Sequence, residues 1–295
     1  MSSQLKVAAA AAMVLVMSVM MSCSKDNNGG TPNPPNPPKP ANGVKVATNN
    51  TFGAILTDST GRSLYFFSDD PTGQSTCTGG CLAAWPVFFI DSAKLLLDTT
   101  LKAADFGTIT RADGNKQTTY KGWPLYYFAN DAAAGDTKGD AVGGVWFIGK
   151  PDYSVMLSNG QLVGNDGNNY TFTGTVQAAT GNSIYLTDDR GRTLYAFAAA
   201  DKNGVNNFTT TDPTHNAIWP IYPQTTVQHV PSTLTATDFA TITVFGSTQL
   251  TYKGWPLYYF GNDKLTRGST KGVSVPSPNV WPVVNTTSTV APAAL

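Results

Sequence analysis

Short apolar segments with alternating polar positions, separated by turn residues, recur along most of the chain. In ILTDSTGRSLYFF (55–67) two apolar stretches flank the turn residues Asp58–Gly61, and LTDDRGRTLYAF (186–197) repeats this arrangement. A period of two is typical of β-strands, and Asp and Gly between two such stretches favour a tight turn. The pattern therefore predicts strand, turn and strand in both segments.

The LYFF stretch carries apolar side chains at every position. In an extended segment Tyr65 and Phe67 point to one face, whereas Leu64 and Phe66 point to the other, which predicts a strand that is covered on both faces. Helix is expected only in short turns such as CLAAWP, which Pro86 ends. We therefore predict a mainly β fold with minor short helix.

An internal duplication organises the chain. TYKGWPLYYF occurs identically at 119–128 and 251–260. LKAADFGTIT is similar to LTATDFATIT, which follows it at nearly the same separation. Such steady spacing predicts two homologous β-rich units, 43–175 and 176–288, followed by a C-terminal tail over 289–295. The first unit carries an extra segment, YSVMLSNGQLVGNDGNNYTF, which blurs the boundary.

Each unit divides again into two half-repeats that contain a Tyr-x-Phe pair. The pairs are Tyr65 and Phe67, Tyr126 and Phe128, Tyr195 and Phe197, and Tyr258 and Phe260. An aspartate follows at the same spacing in three copies, as Asp70, Asp131 and Asp263, whereas the third copy has Ala200 there and Asp201 next. We interpret these residues as structural or candidate binding positions, the aspartates being turn or cap residues at strand ends.

Tryptophans complete the repeat, since all 6 of them fall within or beside a half-repeat, and most precede a proline. Aromatics that recur in every copy are typical of a repeated core, with one or two left to line a groove. Two units packed together or in tandem are the predicted architecture, and a closed four-fold assembly such as a small propeller is the alternative.

The N-terminus predicts an exported, anchored protein. Lys6 precedes the apolar run Val7–Met21, which is too short to span a bilayer and reads as a secretory signal over 1–22. Ser22 directly before Cys23 resembles the lipobox of bacterial lipoproteins, which implies cleavage and acylation at Cys23. A Pro-rich linker over 23–42 would then hold the folded part away from the membrane.

The composition narrows the function classes. Of the 295 residues 41% are apolar, which suffices for a core, and all 19 acidic residues are aspartate. The absence of glutamate favours strands and tight turns over helices and excludes a catalytic glutamate. The formal net charge is +0 and no basic stripe is present, so nucleic acid is not an expected partner.

Two stretches resemble a known family of bacterial lipoproteins with a Yx(FWY)xxD motif, described as a secreted repeat of unknown function. They are GRSLYFFSDD followed by STCTGGCLAAWPV, and KGWPLYYFAND followed by GGVWFIG. The resemblance covers most of 50–150 and, more loosely, 180–284. It implies a lipid-anchored location in the bacterial cell envelope, at the outer membrane on its periplasmic or surface face, and little about activity.

Cys77 and Cys81 are the strongest candidates for a chemical site in the sequence. In an oxidising exported compartment, two cysteines four residues apart in a turn favour a disulfide. The alternative is a Cu(I) or redox site, for which a third ligand such as Met156 would be needed. Counted back from the tryptophan, the second unit has Thr211 and His215 at these positions.

The remaining candidates indicate turns rather than sites. His215 and His229 are isolated in polar loops, and no HExxH or GxSxG motif is present. Asp131, Asp136 and Asp140 could offer oxygens to Ca²⁺, but their spacing does not match the DxDxDG loop.

We therefore expect a lipid-anchored, non-enzymatic binding or structural protein without catalytic residue, metal or cofactor, whose one assignable partner is the membrane. An envelope redox or copper-binding protein that uses Cys77 and Cys81 is the alternative. A third possibility is an enzyme that uses aspartates in a cleft between the units.

Overall fold

A computed structural model describes residues 41–294. The signal peptide predicted over 1–22, the lipidation of Cys23 and nearly all of the linker predicted over 23–42 lie outside the described residues. No helix within 41–294 has the length and apolar character needed to cross a membrane.

The first part of the described chain forms eight short strands and one α-helix. The strands are β1 (Gly43–Asn49), β2 (Gly53–Asp58), β3 (Tyr65–Phe67), β4 (Leu96–Leu97), β5 (Phe106–Thr110), β6 (Lys116–Tyr120), β7 (Trp123–Pro124) and β8 (Trp146–Ile148). The helix is α1 (Gly80–Ala84), and 3-10 turns lie at Ser92–Lys94, Ala103–Asp105 and Val142–Gly144.

The rest of the described chain repeats this design. Its strands are β9 (Met156–Val163), β10 (Asn169–Phe172), β11 (Val176–Ala178), β12 (Asn182–Thr187), β13 (Tyr195–Ala196), β14 (Phe239–Val244), β15 (Ser247–Tyr252) and β16 (Trp255–Tyr258). The second helix is α2 (Pro213–Asn216), and 3-10 turns lie at Ala236–Asp238, Gly261–Asp263 and Lys271–Ser274. The predicted mainly β fold with minor short helix is thus confirmed.

These strands assemble into five small sheets. Their orders are β2-β1-β4, β3-β8, β5-β6-β7, β11-β10-β9-β12 and β13-β16-β15-β14. The half-repeats associate two by two, since Tyr65 bridges to Tyr126 and Tyr195 bridges to Tyr258. The described strands therefore do not form the four similar blades that the propeller alternative requires.

The duplicated decamer folds as a tight hairpin. Tyr120 pairs with Trp123 across the two-residue loop Lys121–Gly122, and both loop residues have positive φ (49° and 82°). Such a loop matches the twist of the flanking strands, and glycine at its second position adopts this conformation without a Cβ clash. Pro124 is the last residue of β7, an edge strand of its sheet, where the missing backbone N–H of proline is tolerated.

Both faces of the LYFF strand are covered, as the alternation predicts. Tyr65 and Phe67 belong to one buried cluster with Trp85 and Trp146, whereas Leu64 and Phe66 belong to another. In the second unit Tyr195 and Leu194 divide in the same way. Each unit therefore contains two apolar cores on opposite faces of its central strands.

The extra segment of the first unit joins the two units. Strand β9 pairs with β12 along its length, from Met156 opposite Thr187 to Gln161 opposite Asn182. Val155 and Leu157 pack into a core of the second unit. The segment that blurs the sequence boundary thus serves as a shared strand.

Polar and charged contacts reinforce this junction. Lys121 lies 2.7 Å from Asp189, and the Trp123 indole N–H donates to the Asp189 carbonyl at 3.0 Å. The Arg267 guanidinium lies over the Trp123 ring, 3.8 Å from its centroid, and donates to the Arg190 carbonyl. Burial lowers the pKa of Arg267 to about 10.

The C-terminal tail occupies the matching position on the second unit. The Trp255 indole N–H donates to the Thr289 carbonyl at 2.8 Å, and Lys253 donates to the Ser288 carbonyl at 3.0 Å. Residues 286–291 therefore cover the decamer hairpin of the second unit as the 188–190 turn covers that of the first.

Candidate functional site

The four Tyr-x-Phe pairs lie at the centre of the two units, and they face each other. The Tyr65 N–H donates to the Tyr126 carbonyl at 2.9 Å, and the Tyr126 N–H donates back to the Tyr65 carbonyl at 3.1 Å. In the second unit Tyr195 and Tyr258 are opposite in antiparallel strands. The two half-repeats of a unit are thus joined at their tyrosines.

Each tyrosine hydroxyl donates to the aspartate of the opposite half-repeat. Tyr65 reaches Asp131 at 2.7 Å, and Tyr126 reaches Asp70 at 2.7 Å. The exchange is repeated in the second unit, where the bonds are Tyr195 to Asp263 at 2.6 Å and Tyr258 to Asp201 at 2.7 Å. The repeat motif is therefore a reciprocal lock between half-repeats.

The other oxygen of each carboxylate holds the loop that follows it. The donors are the backbone N–H groups of Thr76 to Asp70 (2.7 Å), Lys138 to Asp131 (3.0 Å), Asn207 to Asp201 (2.7 Å) and Lys271 to Asp263 (3.0 Å). An aspartate in this position accepts hydrogen bonds from backbone N–H groups of the loop that follows it and so fixes the conformation of that loop. Each carboxylate thus closes its own loop.

Asp201 is a member of the lock that the sequence pattern did not assign. It lies one residue later than the other three aspartates, and its N–H donates to the Phe197 carbonyl at 3.0 Å. The turn absorbs the extra residue, so that the Asp201 carboxylate still meets Tyr258 and is fully buried. The signal in the sequence was the aspartate directly after Ala200.

A second pair of aspartates, Asp58 and Asp188, holds the neighbouring tyrosines. Tyr127 donates to Asp58 at 2.9 Å, and Tyr259 donates to Asp188 at 2.8 Å. The same aspartates accept N–H groups within their own turns, which the sequence predicted only as turns. The two adjacent tyrosines of each decamer, Tyr126-Tyr127 and Tyr258-Tyr259, are thus bonded to carboxylates on other segments.

Burial raises the pKa values of the aspartates and tyrosines of the lock. It raises the pKa of Asp70 and of Asp201 to about 6, against the hydrogen bonds that favour their ionised forms. Burial and the bonded carboxylate hold the pKa values of Tyr65 and Tyr258 well above their usual range. The tyrosines therefore remain neutral donors at physiological pH.

We expect the unfolding free energy to fall as the pH rises from about 4 to 6, through the contribution of Asp70 and Asp201. Their folded pKa values lie above the unfolded value, so the stabilisation is fully present below about pH 4 and is lost by about pH 6. Urea unfolding at half-unit pH steps measures this. The Asp70→Asn/Asp201→Asn variant should show a shallower slope in this window, and an unchanged slope would contradict the assignment.

A column of four stacked rings lies beside each lock. In the first unit Phe67 stacks on Trp146 at 3.9 Å between centroids, Trp146 on Trp85 at 3.7 Å, and Trp85 on Phe128 at 4.4 Å. The second unit repeats the column as Phe197, Trp281, Trp219 and Phe260, with spacings of 4.3, 3.9 and 4.3 Å, and the Phe260 ring is tilted by 33° against Trp219. The tryptophans of both columns are buried. They therefore do not offer the exposed platform on which a sugar ring or a base would stack.

Cys77 and Cys81 are joined by a disulfide, with Cα atoms 5.4 Å apart. The second unit fills this place differently from what counting back from the tryptophan suggested. Cys77 follows the residue whose N–H donates to Asp70, and Phe208 follows the residue whose N–H donates to Asp201. Phe208 stacks on His215 at 4.3 Å, so a ring pair rather than Thr211 stands where the disulfide lies in the first unit.

The structure does not support the redox or copper alternative. Both sulfurs are held in the disulfide, and residues 41–294 contain no group of three or more His, Cys or Asp that could hold a metal ion. Among the Ca²⁺ candidates, Asp136 pairs with Lys138 and Asp140 accepts the Ile148 N–H. These carboxylates thus serve separate turns.

The predicted enzyme alternative required aspartates gathered in a cleft. Asp70, Asp131 and Asp263 instead lie in separate loops, each bonded to its own tyrosine. His215 lies on Phe208, and His229 lies 2.8 Å from Asp152 in a half-buried pair. The motif aspartates therefore do not form a shared acidic site.

These features define a mainly β repeat protein whose recurring residues lock half-repeats together. A family model described as "secreted repeat of unknown function" matches three stretches of the chain, 46–88, 107–150 and 241–285. These three stretches are thus similar to the repeats of this family, as the resemblance indicated. No curated protein and no solved structure matches it.

The three matches contain the half-repeats of Asp70, Asp131 and Asp263. The remaining half-repeat, with Tyr195 and Asp201, is not matched, although it forms the same bonds. Its later aspartate and its ring pair in place of the disulfide are the two departures that the structure explains.

Proposed function

We propose that this protein is a lipid-anchored component of the bacterial cell envelope, located at the outer membrane, in which the repeats form a non-enzymatic frame for binding or structure. The observation that carries the proposal is the reciprocal lock. The Tyr and Asp side chains that recur in every half-repeat form hydrogen bonds with each other inside the protein. They stabilise the frame and leave its surface loops to make contacts.

The proposed location is supported by the N-terminal sequence and by the family description. Lys6, the apolar run Val7–Met21 and the Ser22-Cys23 junction are typical of a lipoprotein signal, and the family is described as secreted. Several acyl chains on Cys23 would anchor the protein stably, because each buried methylene contributes about 0.8 kcal/mol. The prolines of the 23–42 linker would then act as a spacer.

The frame role is supported by how the second unit tolerates change. It replaces the disulfide by the Phe208 and His215 ring pair and shifts Asp201 by one residue, yet it keeps the lock and the stacked column. Changes that preserve packing while altering the chemistry are expected of a scaffold. A catalytic site would instead require the same reactive groups at a fixed geometry.

Replacing Cys23 with serine is expected to release the protein from the membrane. The full-length chain, expressed in a bacterium that processes lipoproteins, should partition into the detergent phase after phase separation, whereas Cys23→Ser should move to the aqueous phase. Without its thiol, residue 23 provides no site for the first acyl chain. Mass spectrometry of the N-terminal peptide would show the attached lipid directly.

The matched control is Ser24→Ala, which alters the next residue and leaves the thiol in place. It should stay with the detergent phase as the natural sequence does. Equal partitioning of the natural sequence and Cys23→Ser would contradict the proposed anchor.

A further inference from the structure

A surface cavity of about 480 Å³ lies on the second unit, beside the 261–265 turn. Its walls include Pro220, Pro223, the rings of Tyr222 and Tyr259, and Leu265. The Tyr222 hydroxyl donates away from this surface to the Ser154 carbonyl, and that of Tyr259 donates to Asp188. Both tyrosines therefore present mainly ring surface. Cavities of roughly 300–1,000 Å³ hold small organic ligands.

One wall of the cavity arises where the second unit departs from the repeat. The Gly135 N–H donates to the Gly61 carbonyl in the first unit, and the Gly268 N–H donates to the Gly191 carbonyl in the second. Measured from the lock aspartate to that glycine, the loop of the second unit is one residue longer.

Lys264 and Leu265 occupy the lengthened loop, both in the left-handed region, with φ of 51° and 54°. Leu265 is 52% exposed. The first unit has the small residues Ala132 and Ala133 directly after its lock aspartate. The longer loop thus adds an apolar side chain and a cation to this surface.

The charges at the cavity favour a single negative charge on its ligand. Arg192 lines the cavity and bonds to Asp188 at 2.8 Å, so its charge is largely compensated. Lys264 also lines the cavity and forms no salt bridge within the described part of the chain. None of the described lining residues is an aspartate. One uncompensated positive charge therefore lies at the edge of an apolar, ring-walled cavity.

We propose that this cavity binds an amphipathic monocarboxylate. The flat apolar body of the ligand lies between the proline and tyrosine walls, under Leu265. Its carboxylate accepts hydrogen bonds from Lys264 and from the guanidinium N–H groups of Arg192 that are not bonded to Asp188. A doubly charged phosphate is disfavoured, because the cavity offers no uncompensated positive charge for the second negative charge. The inference rests on the proposed binding role and adds to it a location and a ligand class.

The test uses 2-naphthoate as probe and its neutral analogue 2-naphthamide, titrated against the full chain at pH 7 by isothermal calorimetry. We expect saturable binding of the carboxylate and about tenfold weaker binding of the amide, since a charge-assisted hydrogen bond is roughly twice as strong as a neutral one. Lys264→Gln should weaken the binding of 2-naphthoate by about tenfold and leave that of 2-naphthamide unchanged. Leu265→Ala should weaken both.

The matched control is Lys116→Gln, which removes an exposed lysine from the first unit and should leave both affinities unchanged. Lys264 and Leu265 are exposed, and melting curves of their variants verify that the chain folds. Absence of binding, equal affinity for the two probes, or binding insensitive to both substitutions would overturn the inference. All of these outcomes are independent of the proposed membrane anchor, which the Cys23→Ser experiment tests separately.

Discussion

Replacing Trp146 with alanine is expected to lower the unfolding free energy by about 3–5 kcal/mol. The indole stacks between Phe67 and Trp85, at 3.9 and 3.7 Å, and it meets the Tyr126 ring edge-on at 5.1 Å. Its removal would leave a cavity inside a column of rings that the surrounding strands hold in place. Urea unfolding followed by circular dichroism measures the loss.

The control for this experiment is Phe245→Ala. Phe245 is also a large aromatic residue, but it lies at the tip of the β14–β15 hairpin and is 67% exposed. Its replacement should change the unfolding free energy by no more than about 0.5 kcal/mol. A loss below about 1 kcal/mol for Trp146→Ala would mean that the stacked column contributes little to stability.

Asp201→Ala is expected to destabilise the protein by about 1–3 kcal/mol, because it leaves a buried hydroxyl and a loop N–H without their acceptor. These donors are the Tyr258 hydroxyl and the Asn207 N–H, both 2.7 Å from the carboxylate. This loss would show that the half-repeat with Tyr195 and Asp201, which the family model does not match, depends on the same Tyr–Asp lock as the other half-repeats. Thermal and urea unfolding provide the measurement.

A double-mutant cycle with Tyr258→Phe isolates the bond itself. If the hydroxyl and the carboxylate act together, the double variant should lose about 1–2 kcal/mol less than the sum of the single losses. Asp212→Ala serves as control, since Asp212 is exposed and caps α2 through the Thr214 N–H. It should cost no more than about 1 kcal/mol, and additive losses in the cycle would contradict a direct Tyr–Asp lock.

Local structure was largely predictable from the sequence. The alternation in LYFF places Tyr65 and Leu64 in different cores, as the period of two requires. The turn at Asp58–Gly61 lies between β2 and β3, and a short helix precedes Pro86. Each of these features depends on residues a few positions apart, whose conformational preferences act locally.

The partners of the motif residues could not be predicted in this way. The aspartates were expected to cap turns, and they do accept N–H groups from their own loops. That Tyr126 bonds to Asp70, and Tyr65 to Asp131, depends on how the half-repeats pair in space. Segments far apart in the chain meet only after several loops close, and periodicity within a strand carries no information about that closure.

The cavity on the second unit could not be predicted from the sequence either. Nothing in the composition of the loop after Asp263 indicates that Lys264 and Leu265 adopt left-handed conformations beside the rings of Tyr222 and Tyr259. A single inserted residue changes the direction of a turn, and its effect on the surface depends on the neighbouring segments.

The sequence by itself determined the duplication, the strands and turns of each half-repeat, and the spacing of tyrosine, phenylalanine and aspartate, because these follow from local preferences and from copying. Only the tertiary structure decided that aspartates and tyrosines are exchanged between half-repeats, that tryptophans from two half-repeats stack into one column, and that β9 joins the units. These contacts form between distant segments, and their geometry is set by packing, which no single stretch of the chain encodes.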